Sequence, residues 1–395
     1  MEPAATGRPA PALTALVGVF LRLGCTSFGG PVAHLAYLRE EFVVRRRWLG
    51  EGEYADLVAL CQFLPGPASS QVVFGIGLRK RGWPGAIAAS AGFLAPSAAL
   101  MLLFAGLFDR LGSPGAAGWV SGLKLAAVAV VAQAVWAMAR KLAPDLPRAA
   151  IALATAAVLG LVASPFAQMA VIAVGALAGR RWLAGGIRAE APSHSGSPPG
   201  SLAWLALFGA LLLLSFAGPS AGEWAGRLAA FYRAGAMVFG GGHVVLPLLE
   251  SEIVGPGWVP RDAFLAGYGA AQALPGPLFS FAAFLGAAMD SPAPQALGTA
   301  TLLALMLPGW LLVAGVWPRW ERLRARPGAQ GALAGANAAV VGVLLAALLG
   351  PVAQAGLRSA IDPLLAIGGA VLLGRFRTPS WAVVVAFALI GQFRT

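Results

Sequence analysis

Two stretches about 210 residues apart carry the same pattern, and each sets a Pro-Gly-Pro triplet inside an apolar run. The first reads Phe20, Arg22, Gly24, Phe28-Gly29-Gly30, Trp48, Gln62, Pro65-Gly66-Pro67. The second reads Phe231, Arg233, Gly235, Phe239-Gly240-Gly241, Trp258, Gln272, Pro275-Gly276-Pro277. The offset is 211 residues through the Phe-Gly-Gly motif and 210 from the tryptophan onward. A match of this extent at one period is an internal repeat. It binds the fold tightly: whatever the first half builds the second builds again, and a helix entering the triplet must break. In a bilayer, matched proline- and glycine-interrupted spans in two halves point to a transporter's substrate site.

The bilayer follows from composition. Hydrophobic residues make up 58% of the 395 and charged residues only 11%, far from the soluble balance of nearly half and about a quarter. Apolar runs such as Leu202–Gly218, Ala296–Trp317 and Gly331–Gly350 approach or exceed the roughly 20 residues that cross a hydrocarbon core of about 30 Å. Met1–Pro11 lacks a basic region and a small-residue cleavage site, so Pro11–Gly24 reads as a retained span. Cys25 and Cys61 sit in apolar segments and imply neither a disulfide framework nor a metal site. The net charge of +12 fits cytoplasmic loops better than a nucleic-acid surface, and no aromatic-plus-basic nucleic-acid motif is present. No cofactor motif appears, and no nucleophile–base constellation marks an enzyme.

Thirteen hydrophobic segments can be read: 11–30, 54–77, 84–108, 117–139, 149–163, 166–180, 201–218, 224–245, 263–288, 296–317, 331–356, 360–374 and 379–393. The fold class is therefore an all-α polytopic membrane protein. Positive charge gathers at Arg79-Lys80-Arg81, Arg140-Lys141 with Arg148, Arg180-Arg181 with Arg188, Arg319 to Arg326, and Arg375 with Arg377. All five clusters fall on one side if thirteen spans alternate, which makes that side cytoplasmic. Residues 31–53 dissent, because Arg39 and Arg45 to Arg47 lie on the other side. Residues 11–182 then form a first membrane repeat, 183–200 a cytoplasmic linker, 201–221 an unpaired span and 222–394 a second, inverted repeat. Inversion agrees with charge: Arg79-Lys80-Arg81 matches the neutral stretch around Ser291, whereas the weakly charged Asp109-Arg110 matches Arg319 to Arg326. Inverted repeats supply two interconvertible packings, the basis of alternating access.

Each triplet lies about eleven residues into its segment, roughly 16 Å at helical rise and so near mid-bilayer. Pro65 and Pro275 end one helix, while Pro67 and Pro277 suit the first turn of the next. The following amides, at Ser69, Ser70 and Gln71 or at Phe279, Ser280 and Phe281, then point into the break, and such a helix start attracts anions. The bland alternative is a pair of packing kinks. Arg22 and Arg233 lie about ten residues into their spans, where an arginine costs at least about 2.5–3.5 kcal/mol. A desolvated anion would offset that cost; so would snorkelling or freed backbone carbonyls.

Other polar residues give weaker signals. Lys124 lies nearer a span end, and its repeat counterpart is Asn337, so any charge there is one-sided. The Phe-Gly-Gly motifs read as second breaks at which backbone approaches a ligand, or as close helix packing. Gln62 and Gln272 either touch substrate or hold freed carbonyls. Glu41 and Glu252 match across the repeat and are proton-coupling candidates, as are the unmatched His34 and His243. Asp56 and Asp262 stand at span starts, where capping is the default role. Trp48 and Trp258 read as interfacial anchors.

The pattern Ser27-Phe28-Gly29-Gly30-Pro31, Trp48, Gln62-Phe63-Leu64-Pro65-Gly66-Pro67, repeated in degenerate form, resembles the chromate ion transporter family in its long form of two fused, oppositely oriented domains. The likeness covers residues 12–180 and 222–393. It implies export of the chromate dianion across the bacterial inner membrane, driven by the proton motive force, with sulfate as a look-alike competitor. The second copy departs from the pattern with Gly242 where the first has Pro31, so substrate contacts need not be symmetric. A homodimer is compatible with the sequence. On this reading the anion is held by Arg22, Ser27, Phe28, Gly29, Gly30, Gln62, Pro65 to Pro67, Ser69, Ser70 and Lys124. From the second copy come Arg233, Phe239, Gly240, Gly241, Gln272, Pro275 to Pro277 and Ser280. An anion channel of the same architecture, an intramembrane enzyme and a scaffold are the competing classes.

Overall fold

A computed structural model describes residues 11–28, 30–111, 117–162, 165–183, 201–216, 222–238, 245–320 and 326–393, and among them every regular element is helical. In chain order the α-helices are α1 Leu13–Thr26, α2 Gly30–Arg39, α3 Glu51–Phe63, α4 Ala68–Leu111, α5 Ala117–Leu142, α6 Leu146–Leu161, α7 Pro165–Trp182, α8 Ser201–Leu214 and α9 Glu223–Met237. They continue as α10 Val245–Leu249, α11 Arg261–Ala273, α12 Phe281–Ala287, α13 Pro294–Val316, α14 Pro327–Ala347, α15 Ala353–Gly356, α16 Asp362–Gly374 and α17 Ser380–Phe393. Wide π turns extend α2 over Glu40–Arg45 and α10 over Glu250–Val254.

Local chemistry sets several boundaries. The Asp145 carboxylate accepts the Arg148 amide at 3.0 Å and caps α6, with Pro147 in the first turn. Helix α4 is not straight, because Arg81 and Gly82 leave helical geometry and Gly82 takes φ +60°. A Cβ on Gly77 would overlap the Gly85 carbonyl, so its two arms fold back on each other as a hairpin. The second half makes the same turn between α12 and α13, where a Cβ on Gly286 would stand 2.8 Å from Gly298 Cα.

Among the described residues, four helical stretches are long and apolar enough to cross a membrane: Ala68–Phe108, Gly118–Leu142, Pro294–Arg319 and Gly328–Gly356. Six shorter apolar helices accompany them, α8 among them. Leucines such as Leu103, Leu161, Leu213 and Leu364 stand well exposed on this perimeter. That is a lipid-facing surface rather than a soluble one. The chain is a multi-pass membrane protein.

The two halves interlock. Helix α5 packs on α16 and α17 of the second half, and α14 packs on α6 and α7 of the first. Small residues permit both crossings. A Cβ on Gly122 would overlap Phe387 O, and one on Gly335 would overlap Gly175 O. In a bilayer such close backbone approach supplies the dispersion contacts that water expulsion supplies elsewhere. One core runs through α5 and the second half; another joins α1 and α4 with Leu312 and Val313 of α13 and with Trp320 just beyond it.

Candidate substrate site

Helix α3 ends at Phe63, Leu64 is extended, and α4 begins at Ala68. Likewise α11 ends at Ala273, Leu274 is extended, and a 3-10 turn over Leu278–Ser280 leads into α12. Between each proline pair the glycine takes a left-handed conformation, φ +125° at Gly66 and +93° at Gly276. Each then donates its amide to the other half of the molecule. Gly66 N–H bonds Val238 O at 2.6 Å, and Gly276 N–H bonds Ser27 O at 2.8 Å. Ser27 and Val238 are matched residues just past α1 and α9. Reciprocal contacts of this kind are what a two-fold relation between the halves produces.

The surroundings match as well. A Cβ on Gly66 would stand 3.1 Å from Gly309 Cα, and one on Gly276 2.9 Å from Ser97 Oγ. Ser97 and Gly309 each follow a proline, Pro96 or Pro308, inside the next long helix. Gly24 brings α1 against the Phe93 carbonyl, and Gly235 brings α9 against the equivalent Leu305 carbonyl. The two loops therefore meet the two first-helix ends in one crowded region.

Its polar lining is uneven. Ser69, Ser70 and Gln71 are all buried at the start of α4. Gln71 N–H bonds Pro67 O at 2.9 Å, and the amides of Ala68, Ser69 and Ser70 precede it in the first turn, where a helix has no internal acceptor. Ser70 Oγ and Gln71 Oε1 are buried without a hydrogen-bond partner among the described residues. Gln71 Nε2 donates to Pro65 O at 2.8 Å and so braces the loop. His34 is buried beside it. Its Nε2 lies 3.1 Å from Ser27 O, the carbonyl that also receives Gly276 N–H, and Nδ1 lies 3.5 Å from Ser69 Oγ. A carbonyl only accepts, so Nε2 carries the proton of that bond.

The second start is tighter: Ser280 is buried and its amide bonds Pro277 O at 3.0 Å. Gln62 is exposed, whereas Gln272 is half-buried. Phe28 is half-buried, and Gly30 opens α2. Gly29, Phe239, Gly240, Gly241 and His243 lie outside the described residues.

The arginines and glutamates prove to be partners. Arg22 Nη2 lies 2.6 Å from Glu41 Oε2, and Arg233 forks onto Glu252 at 3.0 and 2.6 Å. Sequence reading selected all four residues but did not join them. The available signal was the spacing, 19 residues in both copies, with a helix break between that folds α2 and α10 back on α1 and α9. Glu41 is also engaged by Arg45 at 3.3 Å and Arg46 at 2.6 Å, whereas Arg233 also donates to Ser215 O. A further matched pair has its charges exchanged: Arg39 pairs with Glu51, and Glu250 with Arg261 at 3.1 Å. Burial pushes the Glu250 carboxyl up to about 7, against the pull of Arg261.

Lys124 is buried. Its side chain is 3% exposed and its Nζ lies 2.6 Å from Asp262 Oδ1, itself 60% exposed. Asp262 thus serves Lys124 rather than capping α11, and Arg358 approaches the same carboxylate at 3.6 Å. Asn337 is buried, with Oδ1 unpartnered among the described residues.

A family model described as "Chromate transporter" matches residues 14–180 and 227–392. The chain belongs to the chromate transporter family. It is 28% identical to the chromate transport protein of Pseudomonas aeruginosa, over 82% of this chain and 77% of that one. It is 26% identical to a probable chromate transport protein of Synechococcus elongatus, over 97% of this chain and 96% of that protein. With the chromate transport protein of Cupriavidus metallidurans it shares 28% identity, over 97% of this chain and 93% of the relative. No solved structure matches the chain. As a chromate transporter family member it carries both Pro-Gly-Pro loops inside the matched regions, while α8 lies between them.

Proposed function

We propose that this chain is a secondary transporter exporting the chromate oxyanion across the bacterial inner membrane, coupled to the proton motive force. The observation that carries the reading is the pair of reciprocal amide–carbonyl bonds, Gly66 to Val238 and Gly276 to Ser27. They bring both broken helices and both first-helix ends together around the buried start of α4. There, first-turn amides and the Ser69 and Ser70 hydroxyls offer donors suited to a tetrahedral dianion. Phe28, Gly30 and Ser280 border the same region, and Gln272 stands half-buried just before the second break. Arg22 and Arg233 add positive potential, with Glu41 and Glu252 competing for them against the anion; the same carboxylates and His34 are the proton-coupling candidates.

The thirteen-span, inverted-repeat topology fits this use, because exchanging the two halves' conformations would open the shared region to opposite sides. Charge favours the outward direction. Moving a dianion out of a negative interior is downhill by about 4.6 kcal/mol per 100 mV. Sulfate is the second reading for the cargo, since such donors recognise charge and tetrahedral shape rather than the central atom.

The test is chromate uptake into everted vesicles containing the full chain, with and without an imposed proton gradient, and with sulfate competing. Gradient-dependent accumulation beyond electrochemical equilibrium is expected. Passive equilibration alone would make the protein a channel, and no chromate flux from correctly inserted protein would remove the cargo.

A further inference from the structure

A cavity of about 300 Å³ lies between the bend of α4, the start of α8 and the end of α13. Trp83, Trp204 and Trp317 line it, with Leu78 and Val313 as apolar wall and Arg79 at the rim. The Trp83 and Trp204 rings pack with centroids 4.3 Å apart. Arg319 follows the lining residues Trp317 and Pro318 and donates to Ser201 Oγ, itself part of the lining, and at 3.3 Å to Gly315 O. The fold thus brings Arg79 and Arg319, about 240 residues apart in sequence, to the lining of one cavity or its immediate neighbour. One wall is α8, which lies outside both family-matched regions.

We propose that this cavity binds the headgroup of an anionic phospholipid at the cytoplasmic interface. Indole rings prefer the headgroup level of a bilayer, and basic pockets between spans on the cytoplasmic side suit lipid phosphates. A free oxyanion would be served by the arginines but not by three indoles and an aliphatic wall, which match the glycerol backbone and upper acyl chains. Arg79 is only half-committed, since its guanidinium is 56% exposed while paired with Glu53. The inference needs the membrane setting and the side assigned to the basic loops; it does not depend on which anion is carried.

The experiment titrates the purified full chain in mild detergent with phosphatidylglycerol and with phosphatidylcholine of identical acyl chains, read by native mass spectrometry. Phosphatidylglycerol should be retained selectively. Each arginine lost should weaken binding about fivefold, so Arg79→Gln with Arg319→Gln should weaken it roughly 25-fold. Brominated-chain phosphatidylglycerol should quench tryptophan fluorescence of the unmutated protein more than brominated phosphatidylcholine, an arm that needs no variant to fold. Replacing Trp83, Trp204 and Trp317 together by phenylalanine should remove that difference. Equal retention of both lipids, equal quenching by both, or full affinity in the double arginine variant would overturn the proposal. So would displacement of the lipid by inorganic phosphate at comparable concentration, because the site would then be one for free anions.

Discussion

Replacing Gly276 by alanine tests the crossed loops directly, and Gly257→Ala supplies its control. Both glycines are left-handed, with φ +93° and +80°. An added Cβ costs roughly 1–2 kcal/mol in that conformation whatever its surroundings. The surroundings then differ. At Gly257 nothing lies within 4 Å of the added carbon, whereas at Gly276 it meets Ser97 Oγ at 2.9 Å, Ser97 Cβ at 3.0 Å and Gly24 O at 3.3 Å. Ser97 is fully buried and α1 is held against the same helix at Gly24, so neither neighbour can yield cheaply. Overpacking of that kind adds about 1–3 kcal/mol. Gly276→Ala should therefore lose about five- to 150-fold more folding equilibrium than Gly257→Ala. The assay is denaturant unfolding in mixed micelles, following tryptophan fluorescence, with both variants and the parent chain side by side. Equal destabilisation of the two variants would refute the close packing of the second Pro-Gly-Pro loop against α4 and α1.

Further outcomes follow from the polar groups. Ser70→Ala removes a buried hydroxyl that has no partner among the described residues, so stability should hold or rise by a few tenths of a kcal/mol while chromate flux in everted vesicles falls; unchanged flux would take Ser70 out of the substrate contacts. Asp262→Asn should destabilise more than Lys124→Met, because the first strands a buried ammonium and the second frees an exposed carboxylate. We expect about 1–3 kcal/mol for Asp262→Asn, less than the 3–5 of fully buried pairs, and near zero for Lys124→Met; an unchanged thermal midpoint in Asp262→Asn would show that the pair is not formed. Glu250 lies in the π turn between apolar segments, and its carboxyl is raised to about 7 when folded. The folded state therefore holds its proton more tightly than the unfolded state. Its contribution is complete below the ordinary carboxylate range and is lost as pH rises through 7. A stability scan from pH 4 to 8 should show that loss in the parent chain and a flatter profile in Glu250→Gln.

Much of this protein is local, and the sequence determined that part. Apolar runs demand a bilayer because hydrophobicity sums along a segment, and proline breaks a helix wherever it falls. Matched offsets equally require two related halves. The breaks at Leu64 and Leu274, and the buried serines after the first of them, were legible for these reasons. What tertiary structure alone decided is which groups meet across long separations. Sequence named Arg22 and Glu41 for different tasks, and only the fold of α2 back onto α1 made them a pair. The sequence leaves Lys124 free to snorkel, and only the placement of α11 brings Asp262 to it. The reciprocal bonds of Gly66 and Gly276, and the interlocking of α5 with α17 and α14 with α7, join residues more than 150 positions apart. Such contacts leave no periodic trace, because a backbone carbonyl accepts a hydrogen bond whatever side chain it carries. Glycine records only that something comes close; the packing of the whole bundle decides what.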